Sequence, residues 1–155
     1  MAIIVDAYNV LHQTHKLPDP YALMDPAGLC RAIERSRWAR TRAVVVCDGV
    51  RKPDEGSYDG PVELIYSGPN EKADPVIEKL IEHDTGPRRL IVVSDDNRLK
   101  KAARKRRAKS MSGEAFLNAL VASIDSGPQR TDPHNAKPDA LGSTEAWLRE
   151  FGFED

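Results

Sequence analysis

Cysteine is scarce in this sequence: Cys30 and Cys47 are the only two in 155 residues. They stand in no CxxC spacing and have no histidine pairing nearby, so packed free thiols are expected in place of a disulfide or a zinc site. Long apolar runs are missing as well. No stretch approaches the roughly 20 residues of a spanning helix, and Asp6 interrupts the first apolar run before it can form the core of a secretory signal. A cytoplasmic protein with no membrane contact is the expectation. There is no Gly-rich phosphate loop, no internal repeat and no low-complexity tract.

The composition is 40% hydrophobic and 30% charged, with 11 prolines and 10 glycines, which is that of a globular chain large enough for one full core. Four short β-rich runs stand out: AIIVD (2–6), AVVVCD (43–48), VELIY (62–66) and RLIVVSD (89–95). Near-continuous apolarity marks strands buried on both faces, as in a parallel sheet covered by helices. Helical patterns lie between them. DPAGLCRAIERSRWAR offers Asp25 as N-cap and Pro26 as first helical residue, and DPVIEKLIEHDTG repeats the pair with Asp74 and Pro75 before stopping at Gly86. A third helix over 97–107 leads to a short strand near AKSM, and Ser112 caps a last helix from Gly113. The order βαββαβαβα predicts an α/β fold, a three-layer α/β/α sandwich on a mostly parallel sheet.

Residues 1–125 form the predicted domain. From 126 to 142 the chain turns to SGPQRTDPHNAKPDALG, a Pro/Gly-rich linker, and 143–155 read as a short amphipathic helix with Trp147, Leu148 and Phe151 on one stripe. Such a helix docks on its own domain, on a partner, or on a second copy in a homodimer.

Three predicted strands end on acids: Asp6, Asp48 and the pair Asp95–Asp96. In a parallel sheet the carboxyl ends share one edge, and ligands bind where strand order reverses. Singly, each aspartate reads as a turn or cap residue. Jointly they predict a carboxylate cluster, which repels itself unless a hard cation such as Mg²⁺ or Mn²⁺ neutralises it.

These residues carry a family resemblance. IIVDAYNV, VVVCDG, NEKADPVIEKLI and VVSDDNRLKKAARKRRAKSMSGEAFL, in that order across residues 2–122, resemble the successive motifs of the NYN domain, in particular its YacP-like branch within the PIN-like nuclease superfamily. The resemblance implies a PIN-like sandwich and a metal-dependent ribonuclease, with RNA as substrate and ends of 5′-phosphate and 3′-hydroxyl. It implies catalytic roles for Asp6, Asn9, Asp48, Asp74 and Asp96, and metal binding by Asp6, Asp48, Asp74 and Asp96; Asp95 stands where the family more often has a small hydroxyl residue and is a further candidate ligand only by its place beside Asp96. Ala7 and Pro75 stand where the family often has glycine and an acid. They keep open a second class: an RNA-binding or ribosome-docking module of the same fold without turnover. A small-molecule phosphotransferase or phosphatase is the third, and it leaves the basic segment without a role.

That segment is RLKKAARKRRAK. From Arg98 to Lys109 it carries eight basic residues and no acid, whereas a solvated helix face ordinarily interleaves both signs. Arg98, Lys100, Lys101, Arg104 and Lys105 are therefore expected to meet RNA phosphates, with Tyr8 available to stack on a base. Arg31, Arg35, Arg37, Arg40 and Arg42 around Trp38 form a second basic group. Ser94 and Asn97 flank Asp96, and His12 and His15 follow Asn9 closely.

Overall fold

The computed structural model describes residues 1–17 and 21–126. Five strands carry the fold: β1 (Ala2–Asp6), β2 (Arg42–Cys47), β3 (Glu63–Tyr66), β4 (Leu90–Val93) and β5 (Lys109–Met111). All neighbours are parallel, in the order β3-β2-β1-β4-β5. The chain therefore builds outward from β1 to β3, crosses back over β1, and builds outward again through β4 and β5. The reversal falls between β1 and β4, where a parallel sheet opens a crevice at its carboxyl edge.

Alternation along each strand makes three layers, because successive side chains leave a strand on opposite faces. Ile3, Val5, Val45 and Val93 pack with Val10, Leu29, Ile33, Phe116 and Leu120. These come from α1 (Ala7–Leu11), α2 (Pro26–Glu34) and α5 (Gly113–Ser126). Ile4, Val44, Val46 and Val92 face the other way, onto Ile77 and Ile81 of α3 (Ala73–His83) and Leu99 and Ala103 of α4 (Asn97–Lys105). The sandwich expected from the element order is the one observed. Both cysteines are buried free thiols, and burial pushes each up to about 12.

Helix ends follow local chemistry with two departures. Asp25 caps α2 as expected, its Oδ1 accepting from the Gly28 amide at 2.8 Å, and Ser112 Oγ accepts from the Ala115 amide at 3.1 Å. Helix α2 stops at Glu34, six residues short of Arg40. The segment after it turns so that Trp38 enters the core, 4.9 Å from the Phe116 ring. Helix α3 opens two residues earlier than the Asp-Pro signal indicated: Lys72 takes the cap position and Asp74 lies inside the first turn. Its carboxylate is thus not spent on capping its own helix.

Direction places the two basic groups. Helices α2 and α4 each return from the carboxyl edge toward the amino edge, since each joins parallel strands. Arg35, Arg37, Arg40 and Arg42 consequently gather where β2 begins, at the edge opposite the acidic residues. The linker (126–142), the terminal helix (143–155) and any homodimer built through that tail lie outside the described residues, apart from Ser126 at the end of α5. No helix among the described residues is long and apolar enough to cross a membrane.

Candidate active site

Strand β1 ends on Asp6, which is only 9% exposed, and α1 begins at the next residue, Ala7. Ala7 is fully buried in the core and sits on helical backbone, so no glycine is required there. Across the switch point Ser94 follows β4. Its hydroxyl donates to Asp6 Oδ2 at 3.0 Å and accepts from the Asp96 amide at 3.0 Å, tying the two strand ends together. Burial raises the Asp6 pKa, the Ser94 bond partly offsets that, and the carboxylates of Asp96 and Asp48 push it up again.

Asp74 reaches the same place from the first turn of α3. Burial comes first among the causes that push its carboxyl up to about 6, followed by a hydrogen bond with Asp96 and the negative charges of Asp96 and Asp6. Asp96 moves the opposite way. Its carboxylate is held below its ordinary range by Asp74 and by the Arg98 amide, from which Oδ1 accepts at 2.9 Å as the cap of α4. The two neighbouring carboxyls thus shift in opposite directions, Asp74 up and Asp96 down. Asp48 follows β2, and its Oδ1 accepts from the Ala73 amide at 2.7 Å, so it is Asp48 that satisfies the opening of α3.

Asn9 and Asp95 lie to one side of this group. Asn9 Oδ1 accepts from the Asp95 amide at 3.1 Å. Asp95 Oδ2 accepts from Gln13 Nε2 at 2.7 Å, and the Gly113 amide also donates to its carboxylate, at 3.4 Å to Oδ1 and 3.3 Å to Oδ2. Together they clamp α1 to the turn after β4 and to the start of α5. A Cβ on Gly113 would stand 2.5 Å from Gln13 Nε2, 3.1 Å from Asp95 Oδ2 and 3.3 Å from Asn9 Oδ1, so a larger residue there would push the Gln13 amide out of its place in the clamp.

A cleft of about 510 Å³ opens beside Asp6, lined by Tyr8, His12, Lys52, Lys72, Ala73 and the carboxylates of Asp6, Asp48 and Asp74. The Tyr8 hydroxyl donates to Glu55 Oε2 at 3.0 Å, and Lys52 Nζ lies 5.5 Å from its ring centroid. Lys52, Glu55, Lys72, Gln13 and Gly113 were not singled out from the sequence. The loop from Gly49 to Tyr58 has no period to mark it, and Lys72 is a solitary charge in a polar stretch. His15 turns back on its own loop, its Nδ1 lying 3.0 Å from the His12 carbonyl oxygen.

The basic residues of α4 are only partly available. Arg98 is gripped by Glu78 through two bonds, Nε to Oε2 at 2.8 Å and Nη2 to Oε1 at 2.7 Å. Arg106 donates to the Asp84 carbonyl at 2.6 Å. Lys101, Arg104 and Lys105 are exposed and Lys100 is half-buried. They recede from the carboxyl edge as the helix runs, at 1.5 Å per residue.

The donors present are carboxylate oxygens, the chemistry that suits a hard divalent cation. Burial first, and then the neighbouring Asp96 and Asp6 carboxylates, raise the Asp74 carboxyl to about 6, and a bound cation would offset both effects. Among the described residues no three His, Cys, Asp or Glu side chains converge as a ready-made ion site. Three of the carboxylates are turned toward protein donors: Asp6 to Ser94, Asp48 to Ala73 and Asp96 to Arg98.

No curated protein matches the chain. Among solved structures it is similar to the crystal structure of Rae1 (YacP) from Bacillus subtilis, with a TM-score of 0.66 at 20% identity, covering 97% of this chain and 91% of that one. A tryptophan-to-leucine variant of the same Bacillus protein matches with a TM-score of 0.55 at 23% identity over the same shares. At such identities the likeness speaks for the fold. Residues 3–147 match the family described as the YacP-like NYN domain, which is most of the chain and includes Asp6, Asp48, Asp74 and Asp96. The chain belongs to the YacP-like NYN domain family, a nuclease-like group.

Proposed function

We propose that this protein is a Mg²⁺- or Mn²⁺-dependent ribonuclease that hydrolyses RNA phosphodiester bonds to 5′-phosphate and 3′-hydroxyl ends, acting in the cytoplasm. The observation that carries the reading is that Asp6, Asp48 and Asp74 line one cleft at the carboxyl edge of the sheet, with Asp96 tied to Asp6 through Ser94. Asp6, Asp48, Asp74 and Asp96 would hold the ion. When bound, it supplies Lewis-acid polarisation of a phosphoryl oxygen and eases ionisation of water.

The chain's own residues do the rest. Ser94 orients Asp6 and fixes the turn that presents Asp96. Asp74 gives up its proton on loading, so loading is favoured above about pH 6. Asn9 holds the turn that carries Asp95 and Asp96. Exposed cations at Lys52, Lys72, Lys101, Arg104 and Lys105 favour a polyanion. The test is cleavage of RNA in Mn²⁺ and in Mg²⁺ by the wild type and by Asp6→Asn. Loss of cleavage in the variant, with thermal unfolding preserved, is expected; equal cleavage by both proteins would overturn the assignment.

The silent module is favoured by a different observation. Asp48 and Asp96 already serve the openings of α3 and α4, a role that needs no ion. Calorimetric titration with Mn²⁺ separates the two readings: the nuclease binds it and Asp6→Asn weakens that binding, whereas the silent module gives no saturable heat.

A further inference from the structure

We infer that the cleft between Tyr8, Lys52 and Lys72 is a nucleotide subsite, which takes one unpaired base of single-stranded RNA on the Tyr8 ring and sets the adjoining phosphates against the two lysines. The inference rests on the RNA reading above and names the route by which the strand reaches Asp6. It runs over the loop after β2 and the start of α3, not along α4.

Four observations converge on the cleft. Its volume of about 510 Å³ lies within the roughly 300–1,000 Å³ of small-ligand pockets. The Tyr8 ring is fixed at both ends: its backbone lies in the first turn of α1, and its hydroxyl is tethered to Glu55. Glu55 is itself held, since Oε1 accepts from the Lys52 amide at 3.1 Å and from the Tyr66 hydroxyl at 3.3 Å. A ring so anchored stacks on a base with little loss of side-chain freedom. Finally, Lys52 and Lys72 are exposed, line the cleft, and take no part in an ion pair among the described residues, whereas Arg98 of α4 is engaged by Glu78.

Charge sets the orientation. The cleft is lined by the carboxylates of Asp6, Asp48 and Asp74 together with Lys52 and Lys72, and the Lys52 ammonium lies over the Tyr8 ring, 5.5 Å from its centroid. Phosphates flanking the scissile bond settle on the lysines. The base is left facing Tyr8, and its stacking surface is open only when it is unpaired, so a single strand enters and a duplex does not. Stacking and phosphate contacts carry little sequence information, which makes the subsite tolerant of base identity.

The test is fluorescence anisotropy with a short fluorescein-labelled oligoadenylate, alone or annealed to its complement. It is run in Ca²⁺ across a salt series, with strand integrity checked on a denaturing gel. Relative to the wild type, the double variant Lys52→Ala/Lys72→Ala is expected to bind the single strand about tenfold or more weakly. The slope of log affinity against log salt should fall by about 1.4, at 0.7 per phosphate contact on a single strand. Tyr8→Ala is expected to lose about 5- to 100-fold. Tyr8→Phe keeps most of the binding, which a purely structural role for the Tyr8–Glu55 bond would not allow. The inference is overturned if the double variant binds within twofold of the wild type, if duplex binds as well as single strand, or if the wild type binds neither. A wild type that binds through these residues and cuts no RNA in Mn²⁺ leaves the subsite standing and removes the nuclease reading. One that cuts, with the double variant cutting and binding equally, removes the subsite alone.

Discussion

Ser94 and Asp6, 88 positions apart in sequence, share a hydrogen bond of 3.0 Å at the point where the sheet reverses its order. The Ser94 hydroxyl also receives the Asp96 amide at 3.0 Å, so one side chain sets the spacing of two strand ends. Ser94→Ala is expected to reduce RNA cleavage about 10- to 100-fold, the usual cost of losing a group that orients a ligand. It leaves a buried carboxylate oxygen short of a donor, at about 1–3 kcal/mol of stability. Urea unfolding and cleavage rates measured together check both, and a Ser94→Thr variant, which keeps the hydroxyl, should recover part of the activity.

The Asp74 carboxyl makes stability depend on pH in a definite direction. Its folded pKa of about 6 lies above the ordinary aspartate value of 3.8, so its contribution is complete below about pH 4 and is lost as pH rises through 6. Asp96, with a lowered folded pKa, contributes in the opposite sense, so the net slope is gentler than Asp74 alone would give. Asp74→Asn removes the charge and keeps a donor for Asp96. The variant is expected to melt a few degrees above the wild type at pH 7.5 and close to it at pH 4. Mn²⁺ should raise the wild-type melting temperature more at pH 7.5 than at pH 5.5, since the ion displaces the Asp74 proton. Calorimetric scans at the three pH values decide, and a melting-temperature gap independent of pH would count against the raised Asp74 pKa.

Much of this arrangement is legible in the sequence, and the illegible part has a common cause. Apolar runs ending at Asp6, Asp48 and Asp95–Asp96 identify the strands and, with the element order, the edge on which those acids meet. Local signals carry that far because each depends on neighbours in sequence. Which acid faces which is decided across the fold. The Asp-Pro pair at 74–75 reads as a cap, yet Asp48, 25 residues away, supplies the bond to Ala73 and frees Asp74 for Asp96. Asp95 and Asp96 are adjacent and look equivalent, and only the positions of Gln13 and Gly113 send one of them to the clamp. The basic run at 98–109 suggests a surface, but the neutralising Glu78 comes from another helix.

Asp95 should behave as a structural residue while its neighbour does not. Its carboxylate ties Gln13 and the Gly113 amide, and its amide is held by Asn9. Asp95→Ala is expected to cost about 1–2 kcal/mol and to leave Mn²⁺ affinity within about twofold, whereas Asp96→Ala should weaken that affinity severely. Gly113→Ala strikes the same clamp by crowding Gln13 and Asp95, and should lower stability comparably without removing a charge. Isothermal titration beside denaturant unfolding for the three variants distinguishes the roles.

The pairing of Arg98 with Glu78 gives the last prediction a sign. Arg98 sits at the start of α4, next to Asp96 and within electrostatic reach of Asp74, but both bonds of its guanidinium go to Glu78. A guanidinium engaged by a carboxylate releases no counterion from RNA, so Arg98 should add little to the salt dependence of binding in the wild type. Exposed ion pairs of this kind are weak, so breaking this one scarcely affects the fold. Glu78→Gln leaves the guanidinium free for a phosphate oxygen. Single-stranded RNA should then bind more tightly at low salt, with a slope steeper by about 0.7, the value for one added phosphate contact. Arg98→Ala in the Glu78→Gln background should return the slope to its wild-type value. A slope that rises in the single variant and does not fall back in the double would place the new contact on another cation of α4, with Lys101 the nearest exposed lysine along the helix.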